Sequence, residues 1–76
     1  MRNRKVKELM TDQPCTIAPD ATLQEAARIM ANVDCGFLPV CSKSDVIGII
    51  TDRDIVIRAI SRGKDPQKEK VLNYMT

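Results

Sequence analysis

The stretch Gly48-Ile49-Ile50-Thr51-Asp52-Arg53-Asp54 decides how the chain folds. It continues an aliphatic run, Val46 to Ile50, of the kind found in strands that are buried on both faces. Thr51 closes this strand and opens a helix, because Asp54 follows three residues later and the two side chains form a capping box. The stretch therefore predicts a buried strand that runs directly into the N-terminus of a helix.

Two roles are open for the polar residues of this stretch. The free N–H groups at a helix N-terminus favour an anion such as phosphate. Thr51 can bond a phosphate or sugar oxygen, Arg53 can supply positive charge, and Asp54 can accept hydrogen bonds from a ribose diol. Alternatively, Thr51 and Asp54 only cap the helix and Arg53 is only a solvated charge. The pattern leaves both roles open.

The helix after Thr51 is predicted to end at Gly63, and residues 65–70 read as a polar linker. The predicted apolar face of this helix consists of Ile55, Val56, Ala59 and Ile60.

An earlier helix is the best-specified element of the chain. Thr22 and Glu25 form a capping box, and Asp34-Cys35-Gly36 ends the helix. One apolar stripe recurs at steps of three and four residues: Leu23, Ala26, Ala27, Met30 and Val33. Phe37-Leu38-Pro39-Val40 then predicts a strand, in which Pro39 favours an edge or a bulge.

The N-terminal part adds a short strand and a short helix. Residues 15–18 are β-prone, residues 11–14 form a turn, and Val6 to Met10 is predicted to be a short helical piece. Before it, four basic side chains are expected to form a solvated arm: Arg2, Arg4, Lys5 and Lys7. The predicted order is short helix, strand, helix, strand, strand, helix.

A six-residue motif occurs twice. Val6-Lys7-Glu8-Leu9-Met10-Thr11 recurs as Val71-Leu72-Asn73-Tyr74-Met75-Thr76, with Val, Met and Thr matching. We expect residues 1–76 to hold one complete unit, with its core at about 6–64, followed at 71–76 by the start of a second repeat. Such a chain is either part of a longer tandem protein or a unit that pairs with a copy of itself.

Composition excludes several functions. The 76 residues, 43% hydrophobic with one Phe and one Tyr, allow one small domain with an aliphatic core. A net charge of +2 and so few aromatic side chains argue against a nucleic-acid interface. No apolar run is long enough for a membrane span and no signal peptide is evident, so we expect a cytoplasmic protein without a membrane partner.

The cysteines do not indicate chemistry. Cys15, Cys35 and Cys41 are odd in number, and the chain has no histidine. This pattern fits neither a disulfide framework nor a zinc site, and nothing is present to generate a reactive thiolate. We expect reduced cysteines that act as small core hydrophobes, no metal, no catalytic residue and no catalytic cofactor.

The ordering of these motifs resembles the cystathionine-β-synthase (CBS) domain over residues 5–76. The resemblance is carried by Met10-Thr11, by Pro14 with Thr16 to Asp20, by the helix from Thr22, and by Gly36 to Val40. It is carried above all by Gly48 to Asp54. The resemblance implies an α+β fold, a β-α-β-β-α unit in which a small mixed sheet packs against two helices, preceded by a short N-terminal helix.

The resemblance also implies a function. CBS units work in pairs, called Bateman modules, and many bind AMP, ADP, ATP, S-adenosylmethionine or NAD between them. By position, Thr51 and Asp54 would hold phosphate and ribose and Arg53 would reach phosphate. The adenine pocket would be lined by Thr16, Ile17, Gly36, Phe37, Leu38 and Pro39.

The sequence thus predicts a non-catalytic regulatory module that senses an adenine nucleotide as its regulatory ligand. Its predicted partner is a second copy, in a homodimer that mimics the tandem pair, or a second CBS repeat of a longer chain. The alternative is a structural pairing module without a small ligand.

Overall fold

An antiparallel hairpin forms the sheet in the computed structural model, which describes residues 15–76. Strand β1 spans Phe37–Ser42 and strand β2 spans Asp45–Thr51. Lys43 makes the turn between them with a φ of 60°. The register shifts between Val40 and Cys41, directly after the proline for which the sequence predicts an edge or a bulge. The predicted N-terminal helix and basic arm lie outside the described residues.

The predicted strand at residues 15–18 is reduced to one parallel bridge, between Ile17 and Val40. The Ile17 N–H donates to the Pro39 carbonyl at 3.0 Å, and the Ile17 carbonyl accepts from the residue after Val40 at 2.9 Å. Extending this ladder in either direction would require an N–H from Pro39 or Pro19, and proline has none. The sheet is therefore mixed, as predicted, but its parallel part is a single residue.

Helix α1 spans Leu23–Val33 and begins and ends where the sequence predicts. Thr22 Oγ1 accepts from the Glu25 N–H at 3.1 Å, and the Thr22 N–H donates to Glu25 Oε1 at 2.8 Å. Asp34 ends the helix in the left-handed conformation, with a φ of 56°. Three residues of the predicted stripe are buried, namely Leu23, Ala26 and Met30, whereas Ala27 is exposed and Val33 is half-buried.

The helix after β2, here called the second helix, is irregular. Asp54–Ala59 has π-helical hydrogen bonding and Ile60–Arg62 is a 3₁₀ turn that ends at Gly63, as predicted. The predicted apolar face is wrong in half of its members. Ile55 and Ala59 are buried, but Val56 is 53% and Ile60 is 46% exposed, because nothing in residues 15–76 packs against them.

The aliphatic run of β2 has the composition of a strand that is buried on both faces, but only one of its faces is buried within residues 15–76, as expected for a single unit that needs a partner. Ile50 is fully buried, but Val46 is 65%, Ile47 is 43% and Ile49 is 42% exposed. One face of β2 contacts the core, and no described element of this chain covers the other. The continuous apolar sequence therefore marks a surface rather than an interior.

The C-terminal segment, residues 71–76, folds back onto the unit that precedes it. It begins with a 3₁₀ turn, Val71–Asn73, and both Val71 and Tyr74 belong to the core. Thr76 then exchanges two backbone hydrogen bonds of 2.9 Å with Ile49, on the edge of β2 that faces away from β1. The segment that resembles the start of a second repeat thus completes the core of the first.

The predicted linker packs as well. Leu23 N–H donates to the Glu69 carbonyl and Gln24 N–H donates to the Pro66 carbonyl, both at 3.0 Å. These bonds satisfy N–H groups of the first turn of α1, which have no partner inside the helix. The core that results is aliphatic, as predicted, with one tyrosine: Ile17, Leu23, Ala26, Met30, Leu38, Val40, Ile50, Ile55, Ala59, Val71 and Tyr74.

Candidate functional site

The junction between β2 and the second helix forms the predicted capping box. The Thr51 N–H donates to Asp54 Oδ2 at 3.0 Å, and the Asp54 N–H donates to Thr51 Oγ1 at 3.0 Å. These bonds leave hydrogen-bonding capacity unused, since the Thr51 hydroxyl retains its own hydrogen and each carboxylate oxygen can accept more than one bond. A hydroxyl donor beside a carboxylate acceptor matches the vicinal hydroxyls of a ribose.

The sheet brings two predicted adenine-lining residues to this junction. Phe37 lies directly opposite Thr51 in the register of the hairpin. The Asp52 N–H donates to the Gly36 carbonyl at 2.8 Å, which ties the end of α1 to the start of the second helix. A Cβ on Gly36 would lie 2.9 Å from Asp52 Oδ2, so a larger residue at this position would displace the Asp52 carboxylate. The half-buried Phe37 ring and the polar pair therefore share one region of the surface.

The other predicted site residues lie at varying distances from this pair. Ile17 and Leu38 are 6% and 0% exposed, so their side chains support the sheet from within the core. Pro39 is half-buried, and Thr16 is exposed next to Ile17, the residue that bridges to Val40 of β1. Arg53 is exposed at the start of the second helix. Backbone geometry thus groups Gly36 and Phe37 with the polar pair, whereas Thr16 and Ile17 lie across β1 from it.

A shallow cavity of about 260 Å³ opens beside the junction. It is lined by Met30, Ala31, Asp34, Cys35, Gly36 and Asp52. Asp52 is not among the predicted site residues, although its position next to Thr51 was a signal for it. Carboxylates in this lining would repel a phosphate and can accept hydrogen bonds from hydroxyl or amino groups.

A second set of contacts, also missing from the predicted site, surrounds Arg58. Its Nη1 donates to the Tyr74 carbonyl at 2.7 Å and lies 3.7 Å from Asp54 Oδ1. The guanidinium carbon lies 5.9 Å from the centre of the Tyr74 ring. The sequence held one signal for this cluster, the spacing of four residues between Asp54 and Arg58 on a predicted helix.

The hydroxyl group of Tyr74 makes a further hydrogen bond. Its hydroxyl donates to Glu69 Oε1 at 2.7 Å. This hydrogen bond, together with burial and the negative charge of Glu69, raises the pKa of Tyr74 above its ordinary value of 10.0. The phenol therefore stays protonated and remains a donor through the physiological range.

The described residues contain neither a group of side chains suited to bind a metal nor a helix suited to span a membrane. Cys15, Cys35 and Cys41 are free thiols, and all three are half-buried rather than core residues. Within residues 15–76, no three side chains of the metal-ligating types cluster, and no helix has the length and apolarity needed to cross a bilayer.

Comparison with known proteins identifies the fold. The family model of the CBS domain matches residues 6–60. The CBS domain-containing protein YhcV of Bacillus subtilis is 42% identical over 62 residues, which are 82% of this chain and 44% of YhcV. The chain therefore spans less than half the length of that relative.

Solved structures agree. A cystathionine β-synthase domain protein fused to a Zn-ribbon-like domain superimposes with a TM-score of 0.78 at 30% identity, covering 80% of this chain and 87% of that one. A hexameric CBS-CP12 protein from bloom-forming cyanobacteria superimposes with a TM-score of 0.77 at 31% identity, covering 96% of this chain and 41% of that one.

The family match extends over most of the chain, and the folded unit reproduces the helix and the antiparallel strands of the solved CBS structures. Proteins of this kind generally serve as regulatory modules in which one CBS unit pairs with another. By sequence and by fold, the chain belongs to the CBS-domain family.

Proposed function

We propose that this chain is a non-catalytic regulatory unit that pairs with a second CBS unit and senses an adenosine-containing nucleotide. The candidates are AMP, ADP, ATP, S-adenosylmethionine and NAD, which share the adenosine group. The site is the junction at which β2 runs into the second helix. The family match supports the regulatory and pairing parts of this proposal, and the side chains at the junction support the ligand class.

One observation supports the nucleotide proposal, namely the pairing of β1 with the end of β2. Phe37 lies opposite Thr51 in this pairing, and the Asp52 N–H donates a hydrogen bond to the Gly36 carbonyl. This arrangement places an aromatic ring and an exposed glycine next to a hydroxyl and carboxylate pair. An adenosine group needs an apolar surface for its base and polar partners for its ribose, at a separation of one nucleoside. The junction offers both on adjacent strands.

Each polar residue has a distinct role in this proposal. Asp54 accepts hydrogen bonds from the ribose hydroxyls, since its carboxylate would repel phosphate. Thr51 donates its free hydroxyl hydrogen to a ribose or phosphate oxygen. Arg53 is exposed at the same helix start and contributes the positive charge that phosphate requires.

Pairing is supported by exposed aliphatic side chains that no element within residues 15–76 covers. One group lies on β2, at Val46, Ile47 and Ile49, and another lies on the second helix, at Val56, Ile57 and Ile60. Large apolar side chains exposed in groups such as these are typical of an interaction site. A second CBS unit, from another copy or from a tandem repeat, is the partner that we propose.

A matched pair of variants tests the nucleotide site. Asp54→Asn weakens the capping box at the proposed site, and Glu25→Gln weakens the equivalent box at the start of α1, at the end of that helix remote from Gly36. Each is expected to destabilise the protein modestly, because the neutral amide accepts the backbone hydrogen bond more weakly than the carboxylate does. Only Asp54→Asn is expected to abolish nucleotide binding.

Thermal unfolding with each of the five nucleotides provides the measurement. A nucleotide at a hundred times its Kd should add about 2.7 kcal/mol to the stability of the wild type and of Glu25→Gln. It should add nothing to Asp54→Asn. Equal stabilisation of both variants would place the nucleotide elsewhere.

The reciprocal bonds between Thr51 and Asp54 favour a second candidate function, a pairing module without a small ligand. In that case the two side chains serve only as helix caps, since each already has a partner within the chain. The same titration distinguishes the candidates, because a pairing module is stabilised by none of the five nucleotides, whether as this chain or joined to a second repeat.

A further inference from the structure

Arg58 lies between the proposed nucleotide site and the C-terminal segment, residues 71–76. Its Nη1 atom approaches two acceptors, the Tyr74 carbonyl at 2.7 Å and Asp54 Oδ1 at 3.7 Å. The first distance is that of a short hydrogen bond to a charged donor, whereas the second is a loose ion pair. One guanidinium group is thus shared between a ligand-binding carboxylate and the backbone of another segment.

The segment that Arg58 holds is anchored to the rest of the unit by two buried side chains and by hydrogen bonds. Val71 is fully buried and Tyr74 is 8% exposed. Thr76 pairs with Ile49 on β2, and the Tyr74 hydroxyl donates to Glu69. A change in the position of the Tyr74 backbone is therefore transmitted to both ends of the segment.

We propose that Arg58 is a positioning residue that couples nucleotide binding at Asp54 to the anchoring of residues 71–76. The proposal rests on the proposed function for its ligand. When ribose hydroxyls donate to Asp54, the carboxylate attracts the guanidinium less strongly. Arg58 then bonds more firmly to the Tyr74 carbonyl and ring, and the segment opens less often.

This coupling would carry the effect of nucleotide binding to residues 71–76. Residues 71–76 repeat the motif of residues 6–11 and resemble the start of a second CBS repeat. The unit would therefore report an occupied site through residues 71–76, which lie on the edge of β2 that faces away from β1. Because coupling between sites is reciprocal, a substitution that loosens this segment must also lower the affinity of the site for the nucleotide.

Amide hydrogen exchange of residues 71–76 tests the coupling, since it reads local opening directly. At saturating nucleotide we expect exchange in this segment to slow about fivefold in the wild type, at the low end of typical couplings because Arg58 is partly exposed. Arg58→Gln should still bind the nucleotide, as seen by thermal shift, without this slowing. Arg58→Lys, which keeps the charge, should restore part of it.

Lys64→Gln is the matched control, because Lys64 is an exposed cation two residues beyond the end of the same helix. It should behave as the wild type. Slowing of the same size in Arg58→Gln would overturn the proposal, as would its loss in Lys64→Gln.

A ligand-free cycle tests the coupling independently of the proposed function. Asp54→Asn removes the charge that attracts Arg58, so exchange in residues 71–76, measured relative to that of β1 amides, should slow. The same substitution in an Arg58→Gln background should have no such effect, and additive effects would refute the coupling. If no nucleotide binds but the cycle shows non-additivity, the ligand assignment fails while the Arg58 link stands.

Discussion

Glu25 shows how a single carboxylate can make the stability of this unit depend on pH. The backbone hydrogen bond from Thr22 is the main cause that lowers the pKa of Glu25 below its ordinary value of 4.5, and partial desolvation opposes it. A lowered pKa means that the folded state favours the charged form. The contribution of this group is therefore present above pH 4.5 and is lost as the pH falls through the folded pKa.

Urea unfolding should reveal this dependence. We expect Glu25→Gln to be less stable than the wild type at pH 7 and to approach it as the pH falls through the folded-state pKa of Glu25 and the wild-type carboxyl becomes protonated. In a Thr22→Val background, which removes the hydroxyl partner, the pH-dependent difference should shrink. A difference that stays constant on acidification from pH 7 until Glu25 is protonated would contradict the role of ionised Glu25 in the cap.

The site could be predicted in part at this scale. The chemical types at Thr51 and Asp54 and their spacing indicate either a cap or a ligand site, and the structure forms the cap. Asp52 and Arg58 are absent from the prediction because their importance arises from contacts with Gly36 and Tyr74, which are distant in sequence. Local spacing carries no information about such neighbours.

The way in which the second helix ends contributes to the stability of the unit. Gly63 terminates it with a φ of 77°, a left-handed conformation that side chains with a Cβ disfavour. No atom lies within 4 Å of the position that a Cβ would take, so the conformation rather than crowding demands glycine.

Gly63→Ala is therefore expected to destabilise the unit by about 1 to 2 kcal/mol. Equilibrium urea unfolding measures this change in the free energy of unfolding. Lys64→Ala, one residue further along, is the control and should lie within about 0.5 kcal/mol of the wild type. Equal effects of the two substitutions would show that the left-handed conformation at residue 63 is not the cause.

Elements were predicted best where local signals agree. Helix α1 has a capping box, a regular apolar stripe and a stop, and its observed bounds follow them. The second helix has the same kinds of signal, yet it adopts π-helical bonding over Asp54–Ala59, which side-chain period does not specify. The predicted strand at residues 15–18 was too long, because two prolines lack the N–H groups that its ladder of hydrogen bonds needs.

On the scale of the whole molecule, exposed aliphatic side chains determine how copies interact. Ile57 is 48% exposed on the second helix, between the similarly exposed Val56 and Ile60. We expect the chain to form a homodimer at micromolar concentration, and Ile57→Glu to weaken it at least tenfold, since burying one isoleucine is worth about 1.5 to 3 kcal/mol.

Sedimentation velocity over a concentration series measures this association. Gln67→Lys, an exposed change in the segment between the second helix and residue 71, should leave the dimer intact. A wild type that stays monomeric throughout the series would contradict self-pairing and leave a second repeat as the partner. Dissociation by Gln67→Lys alone would place the interface elsewhere.

The aliphatic run of β2 shows why the sequence alone misplaces such surfaces. A strand covered on both faces has the same composition whether its second cover comes from its own chain or from a partner. The prediction of a strand at this position was confirmed, and its second face is exposed in this single unit, as the expectation of a pairing partner requires. Similarly, the six-residue repeat identified residues 71–76 but contained no information about the edge against which they pack.

The hydrogen bonds between Thr76 and Ile49 have one more consequence. An uncovered strand edge is a template on which other chains polymerise, and the danger grows when apolar side chains flank it. Here Thr76 shields the backbone of β2 at Ile49, beside the exposed side chains of Ile47 and Ile49. A unit that lacks residues 71–76 would therefore tend toward fibrils or amorphous precipitate, so these residues protect the solubility of the unit whose core they complete.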